Sequence, residues 1–217
     1  MKTVSFAKKA FLAVIIVNIL ALAVNIYHGY SQGDYLKHFQ EGTKLTLFSS
    51  LQLLFIAVLC WLIFLKRYGS RRQVQAKAYF IVWALISIGF MLLAYDEYFQ
   101  LHETIDHLIH SYFNMRETGW SDPIDDFLIA VYGLIGLGVI YSCREELKRF
   151  RDVRAVLTTA FVFLAGMVIL DAVTNGVDVV ADVSQRMPLE LMEDVLKYLA
   201  EGLFLVCALI CYNIEST

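Results

Sequence analysis

The sequence predicts an all-α protein, a six-helix transmembrane bundle with both termini cytoplasmic. Three observations carry that expectation. Of the 217 residues, 59% are apolar and only 18% are charged, against about 45–50% and about 25% in an ordinary soluble domain. Six apolar stretches are each long enough to cross a bilayer, which takes about 20 residues. Finally, the basic residues gather on one side of those stretches. Only two prolines and no Pro/Gly-rich linker interrupt the chain, so residues 1–217 are expected to form a single integral membrane domain.

The first span is expected over Ala10–Tyr30, behind Lys2, Lys8 and Lys9. Its basic start, apolar run and Ala21-Leu22-Ala23 resemble a secretory leader; we expect the helix to be retained. The second span is expected over Lys44–Leu65 and the third over Ala78–Gln100, with Lys66, Arg67, Arg71, Arg72 and Lys77 between them. The fourth is expected over Asp126–Cys143, where Asp125 and Asp126 can cap the helix start. Its Gly133-x-x-Gly136-x-Gly138 run predicts close packing against a neighbour. The fifth is expected over Ala155–Thr174, behind Arg144, Lys148, Arg149, Arg151 and Arg154. The sixth is expected over Leu189–Tyr212. Thirteen of the eighteen Lys/Arg thus fall on one side, which the positive-inside rule makes the cytoplasm. The expected location is the bacterial inner membrane.

The opposite side is acidic. Seventeen of the twenty-one Asp/Glu, and all five histidines, fall on the outer half or its loops. Acidic residues contribute little to orientation, so topology alone does not account for this concentration. The four cysteines (Cys60, Cys143, Cys207, Cys211) lie in cytoplasmic halves, where small buried core roles are expected and disulfides are not. The net charge of −3 argues for no nucleic-acid partner. The expected surroundings are the lipid bilayer, with a membrane-protein partner able to dock on the Leu/Ile/Val/Phe faces of the first two spans.

Three helices carry ionisable ladders at i, i+4, i+7, i+11, the spacing that shares one helical face. The third runs on past the membrane surface in this reading. It then sets Asp96, Glu103, His107 and His110 on one stripe, with Glu97 pointing elsewhere. The fifth carries Asp171, Asn175, Asp178 and Asp182. The sixth carries Glu190, Asp194, Lys197 and Glu201. At about 1.5 Å per residue, Asp171 lies roughly 6 Å and Glu201 roughly 12 Å inside the outer boundary of the apolar layer. An ionised group facing lipid at that depth is costly, so such residues face the interior and carry function. The expectation is an outward-open polar cavity between the third, fifth and sixth helices. Asn18 and Gln52, in the first two spans, read as helix–helix hydrogen-bonding residues.

Carboxylates and imidazoles at helical spacing suit a divalent metal, either zinc or an iron/manganese pair. Asp96, Glu103, His107, His110, Asp171 and Asp178 are the candidate ligands. Asp171 and Glu201 are the candidate catalytic groups of a metal-dependent hydrolase acting on a lipid-like substrate, at a site facing the periplasm. Two other functions stay open. Asp, Glu and His chains in membrane helices also suit a proton- or cation-coupled transporter, although polar groups are missing on the cytoplasmic side of Glu201. A non-catalytic subunit of a larger membrane complex is the third.

Asp96-Glu97 followed by His102-Glu103 resembles a D-E-x4-H-E signature of uncharacterised bacterial polytopic membrane proteins, in which a late Glu-rich helix, here Glu190 to Glu201, recurs. The resemblance covers the third to sixth helices and implies no known activity. A fainter similarity is to the membrane hydrolases that include alkaline ceramidases and progestin/adiponectin-type receptors, and it implies zinc held by membrane His and Asp residues. The chain departs from that pattern in having six spans, not seven, and no late His-x-x-x-His pair.

Overall fold

The computed structural model describes residues 2–32, 43–70, 80–113, 124–142, 144–177 and 183–216. The described residues are helical, without a strand. Long helices are α1 (Lys2–Gln32), α2 (Lys44–Ser70), α3 (Ile81–Phe99), α5 (Ile124–Ser142), α7 (Arg154–Val177) and α8 (Val183–Ile214). Between them lie α4 (Leu101–Phe113), the single turn α6 (Arg144–Leu147) and a 3₁₀ segment over Lys148–Val153. Every expected span overlaps a helix. Among the described residues, five helices are long and apolar enough to cross a membrane, namely α1, α2, α3, α7 and α8. In α5 the apolar stretch shortens to Ala130–Ser142.

The surface shows why this is a membrane fold. Phe11, Leu12, Ile16, Ile19, Leu20 and Val24 of α1 are exposed, as are Leu51, Phe55, Val58 and Trp61 of α2. Helices apolar on their exposed faces need a lipid solvent. Only a narrow stripe of α1 is buried, with Val14, Asn18, Leu22 and Asn25 at helical spacing.

α8 is the most buried of the five spans and the axis of the bundle. It packs on α7, α1 and α2. α2 and α3 form a second packed pair, stitched by Ser50 Oγ donating to the Ala94 carbonyl (2.8 Å) and Ser87 Oγ donating to the Ala57 carbonyl (2.8 Å). Short hydroxyl side chains of this kind serve helix pairs in lipid, where association has no hydrophobic drive. The core holds Ile56, Ile63, Val82, Trp83, Phe150 and Val206. Cys60, Cys207 and Cys211 are free thiols buried within it, in keeping with their expected role as small core residues.

Glycines mark the close approaches, but not where the spacing predicted them. Around Gly133, Gly136 and Gly138 an added Cβ would meet nothing within 4 Å among the described residues, because α5 touches α3, α4 and α7 only sparsely. The tight contact is at Gly202 instead. A Cβ there would lie 2.9 Å from Asn18 Nδ2 and 3.3 Å from Val14 Cγ1, so the missing side chain lets α1 lie directly on α8.

One end of the bundle is clamped by ion pairs. Glu146, buried in α6, accepts from Arg67 Nε (2.8 Å), Arg67 Nη2 (3.0 Å) and Trp83 Nε1 (3.3 Å). Glu215, at the end of α8, lies 4.0 Å from Arg67 Nε and 3.9 Å from Arg149 Nη2. The ring of Phe150 sits edge-on to Trp83 with centroids 5.2 Å apart. These contacts draw the end of α2, the start of α3, the link between α5 and α7 and the end of α8 into one cluster.

Candidate functional site

α8 keeps the expected face. Asp194, Lys197 and Glu201 lie in one helix, and burial deepens along it until Glu201 is only 6% exposed. The glycine after Glu201 lets α1 close over it, and Ala200 and Leu203 are buried beside it. Glu201 turns toward α2: Ser49 Oγ, itself fully buried, donates to Glu201 Oε1 at 2.6 Å. Among the described residues, Glu201 Oε2 is buried with no hydrogen-bond partner. One turn outward, Lys197 Nζ lies 2.7 Å from both Oε1 and Oε2 of Glu97 on α3. Charge-assisted contacts of this length are among the stronger polar interactions.

Two more polar side chains belong to the same region. Asn18 is 1% exposed and rests on Gly202. Its Nδ2 donates to the Val14 carbonyl of its own helix (2.9 Å), which leaves Oδ1 buried without a partner. Gln52 is one turn from Ser49 on α2, and its Nε2 is buried without a partner. Buried polar atoms are nearly always paired, and pairing matters more where no water competes. Three such orphans around Glu201 therefore single out this junction of α1, α2 and α8.

The geometry extends the sequence reading. The partners described above for Lys197 and Glu201 come from α3 and α2, which add to the polar face of α8. Glu97, which the periodicity turned aside, is the partner of Lys197. Asn18 and Gln52 do not simply tie helices together: Asn18 bonds within α1, and each keeps an unpaired atom.

The third-helix stripe is also broken. The chain does not run on as one helix; Gln100 takes the left-handed conformation (φ 53, ψ 48) between α3 and α4. Asp96 causes the break to persist. Its Oδ1 accepts the backbone N–H of His102 (2.9 Å), and its Oδ2 lies 3.1 Å from His102 Nδ1. A carboxylate here satisfies an open N–H at the start of α4 and meets the positive end of its dipole. Asp96 and Glu103 therefore do not share a continuous helical face.

The remaining candidates are distributed. Glu103 is half-buried and His107 is exposed on α4. His110 is buried; its Nδ1 lies 3.0 Å from both the carbonyl oxygen and Oδ1 of Asp106, and its Nε2 has no partner. Hydrogen-bond geometry is met at the carbonyl. Asp171 is half-buried on α7, and Asp178 lies outside the described residues. Among the described residues, no three His, Cys, Asp or Glu side chains come together as a metal-holding group.

Sequence reasoning therefore found Lys197 and Glu201, gave Asn18 and Gln52 only a helix–helix hydrogen-bonding role, turned Glu97 aside and did not single out Ser49. The available signal was simple: a polar residue inside a long apolar helix is costly and marks an interior contact.

A family model covers nearly the whole of this arrangement, matching residues 9–212. The chain belongs to the DUF8692 family, a domain of unknown function. Its match takes in all the polar residues around Glu201. No curated protein and no solved structure matches the chain.

Proposed function

We propose that this DUF8692 protein is a six-span protein of the inner membrane, with both ends cytoplasmic, and that it carries out proton- or cation-coupled transport with Glu201 as the proton-binding group. Five crossings have their own long apolar helices. The sixth is supported by connectivity. α3 ends at the Glu97–Lys197 level, and α7 starts beside the Arg67–Glu146 clamp. α5, at 19 residues, is the helix of suitable length between them. The clamp gathers Arg67 and Arg149, and the positive-inside rule then supports a cytoplasmic position for that end.

The observation that carries the function is Glu201 Oε2, a buried carboxylate oxygen with no partner. Ser49 supplies one donor to the other oxygen. A bound proton neutralises the carboxyl and removes the cost of a charge in the apolar layer. Lys197, one turn away at i−4, supplies the opposite state. While Glu97 holds the ammonium, Glu201 keeps its proton. When Lys197 swings to Glu201, its charge compensates the carboxylate and the proton leaves. Glu97, Lys197 and Glu201 thus form a two-position ion-pair switch at the outer half. Inward of Glu201 the core of Ile56, Ile63, Val82 and Val206 is apolar, so passage requires the helices to rearrange, as in alternating-access transporters.

Hydrolysis at a metal ranks behind this reading, because no three of its candidate ligands come together among the described residues. The test is reconstitution in liposomes holding a pH-sensitive dye, with an imposed proton gradient and Na⁺ or K⁺ on either side. Wild-type protein is expected to carry protons, Glu201→Gln to carry none above background, and Lys197→Met to fall between them. A wild-type protein that moves no protons under any of these gradients would overturn the reading.

A further inference from the structure

α1 and α2 touch each other only sparsely, while both lean on α8. Between them runs a groove of about 390 Å³. Val14, Val17, Phe48, Phe55 and Leu205 give it an apolar lining. Val17, Leu51 and Phe55 at its rim are about half-exposed, so it opens sideways on the surface that faces lipid. The size falls in the range of small-molecule sites, which are mostly apolar with a few placed polar groups. Here those groups are Asn18 and Gln52.

The two amides specify what the groove accepts. The Val14 carbonyl holds the nitrogen end of Asn18, so the end left over is an acceptor, Oδ1. On Gln52 the end that is both buried and unpaired among the described residues is a donor, Nε2. An occupant that completes both offers one donor and one acceptor together, on a body otherwise apolar. A phospholipid or ester chain offers acceptors alone, an ammonium offers donors alone, and an alkane offers neither.

We propose that this groove binds a single-chain amphiphile with a neutral carboxylic acid or primary carboxamide head, entering from the bilayer. The head O–H or N–H donates to Asn18 Oδ1, and the head carbonyl accepts from Gln52 Nε2. The apolar chain lies along Val17 and Phe55 toward lipid. The orphan atoms sit beneath the lining, so the Gln52 side chain turns its amide toward the groove as the head arrives, while Asn18 tilts about its hydrogen bond to the Val14 carbonyl. This assignment needs no titration of Glu201 and does not rest on the transport reading.

The experiment uses the full chain in detergent with palmitic acid carrying a mid-chain diazirine. After illumination, label is expected on peptides containing Val14–Asn18 and Leu51–Phe55. Unlabelled palmitic acid and palmitamide are expected to compete. Methyl palmitate, which lacks the donor, competes about fivefold less well, the effect of one net hydrogen bond. The Asn18→Leu/Gln52→Leu double variant keeps the groove apolar and is expected to lose labelling by at least about fivefold. Val17→Trp fills the groove and is expected to abolish labelling, while Glu201→Gln retains it. Both groove variants are checked for an unchanged elution volume and melting temperature. Equal competition by methyl palmitate, or wild-type labelling in a folded double leucine variant, would show ordinary lipid contact and overturn the proposal.

Discussion

Glu146 and Glu201 are both buried carboxylates, yet their surroundings differ in kind. At the clamped end, Glu146 receives both prongs of Arg67 and the indole N–H of Trp83. Charge and hydrogen-bonding capacity are matched by rigid donors from two other helices. At the other end, Glu201 receives one hydroxyl and leaves an oxygen unmet, while its nearest cation along the helix is engaged by Glu97. A fully matched buried charge fixes helices in place. A half-matched one can change its state. The clamp therefore holds helices together, and the Glu201 junction is where the proposed function places its working part.

The contrast breaks most visibly by mutation at the clamp. Glu146→Ala leaves the Arg67 guanidinium buried without its partner, and removing one member of a buried pair costs about 3–5 kcal/mol. Chemical unfolding in detergent should show that loss, whereas Glu201→Gln, which keeps shape and leaves an acceptor for Ser49, should shift stability by less than about 1 kcal/mol. Equal losses for the two would erase the distinction.

A second test compares two glycines. Gly202→Val drives a side chain into Asn18 and Val14, and overpacking of that kind costs about 1–3 kcal/mol. Gly166→Ala meets the tip of Leu196, whose Cδ1 is 3.2 Å from the added carbon. A flexible side chain yields there, and the better helix former returns up to about 1 kcal/mol. Gly166→Ala is thus expected to be near neutral, and melting temperatures read both.

Smaller effects belong to the elbow between α3 and α4. Asp96→Ala removes the carboxylate that meets the His102 N–H and is expected to cost about 0.5–2 kcal/mol, as loss of a helix cap does. Faster amide exchange confined to the first turn of α4 would locate it. Gln100→Gly relieves a left-handed non-glycine residue worth about 1–2 kcal/mol, less the extra entropy of glycine. The expected net gain is up to about 1 kcal/mol. A loss would mean that the Gln100 side chain contributes contacts that hold the elbow.

The sequence made the five long apolar helices legible because crossing an apolar layer demands length and composition, both local properties. It also made the ladder on α8 legible, since residues 194, 197 and 201 share a face at 3.6 residues per turn whatever packs against it. Periodicity failed at Gln100, where nothing in the residue type announces a left-handed turn; the break depends on Asp96 reaching His102. It failed again at the α5 glycines, whose spacing would allow a close neighbour that none of the described residues supplies.

What the sequence by itself determined, then, is that this chain forms helices long and apolar enough to cross a membrane, roughly where they lie, and which face of α8 is charged. Only the tertiary structure decided that α8 sits at the axis, that Glu201 meets Ser49 and lies beside Asn18, and that Lys197 meets Glu97. The reason is physical. In lipid, apolar faces do not choose their neighbours by hydrophobicity, so helix order is settled by close contacts such as Gly202 on Asn18 and by pairs of polar groups far apart in the chain.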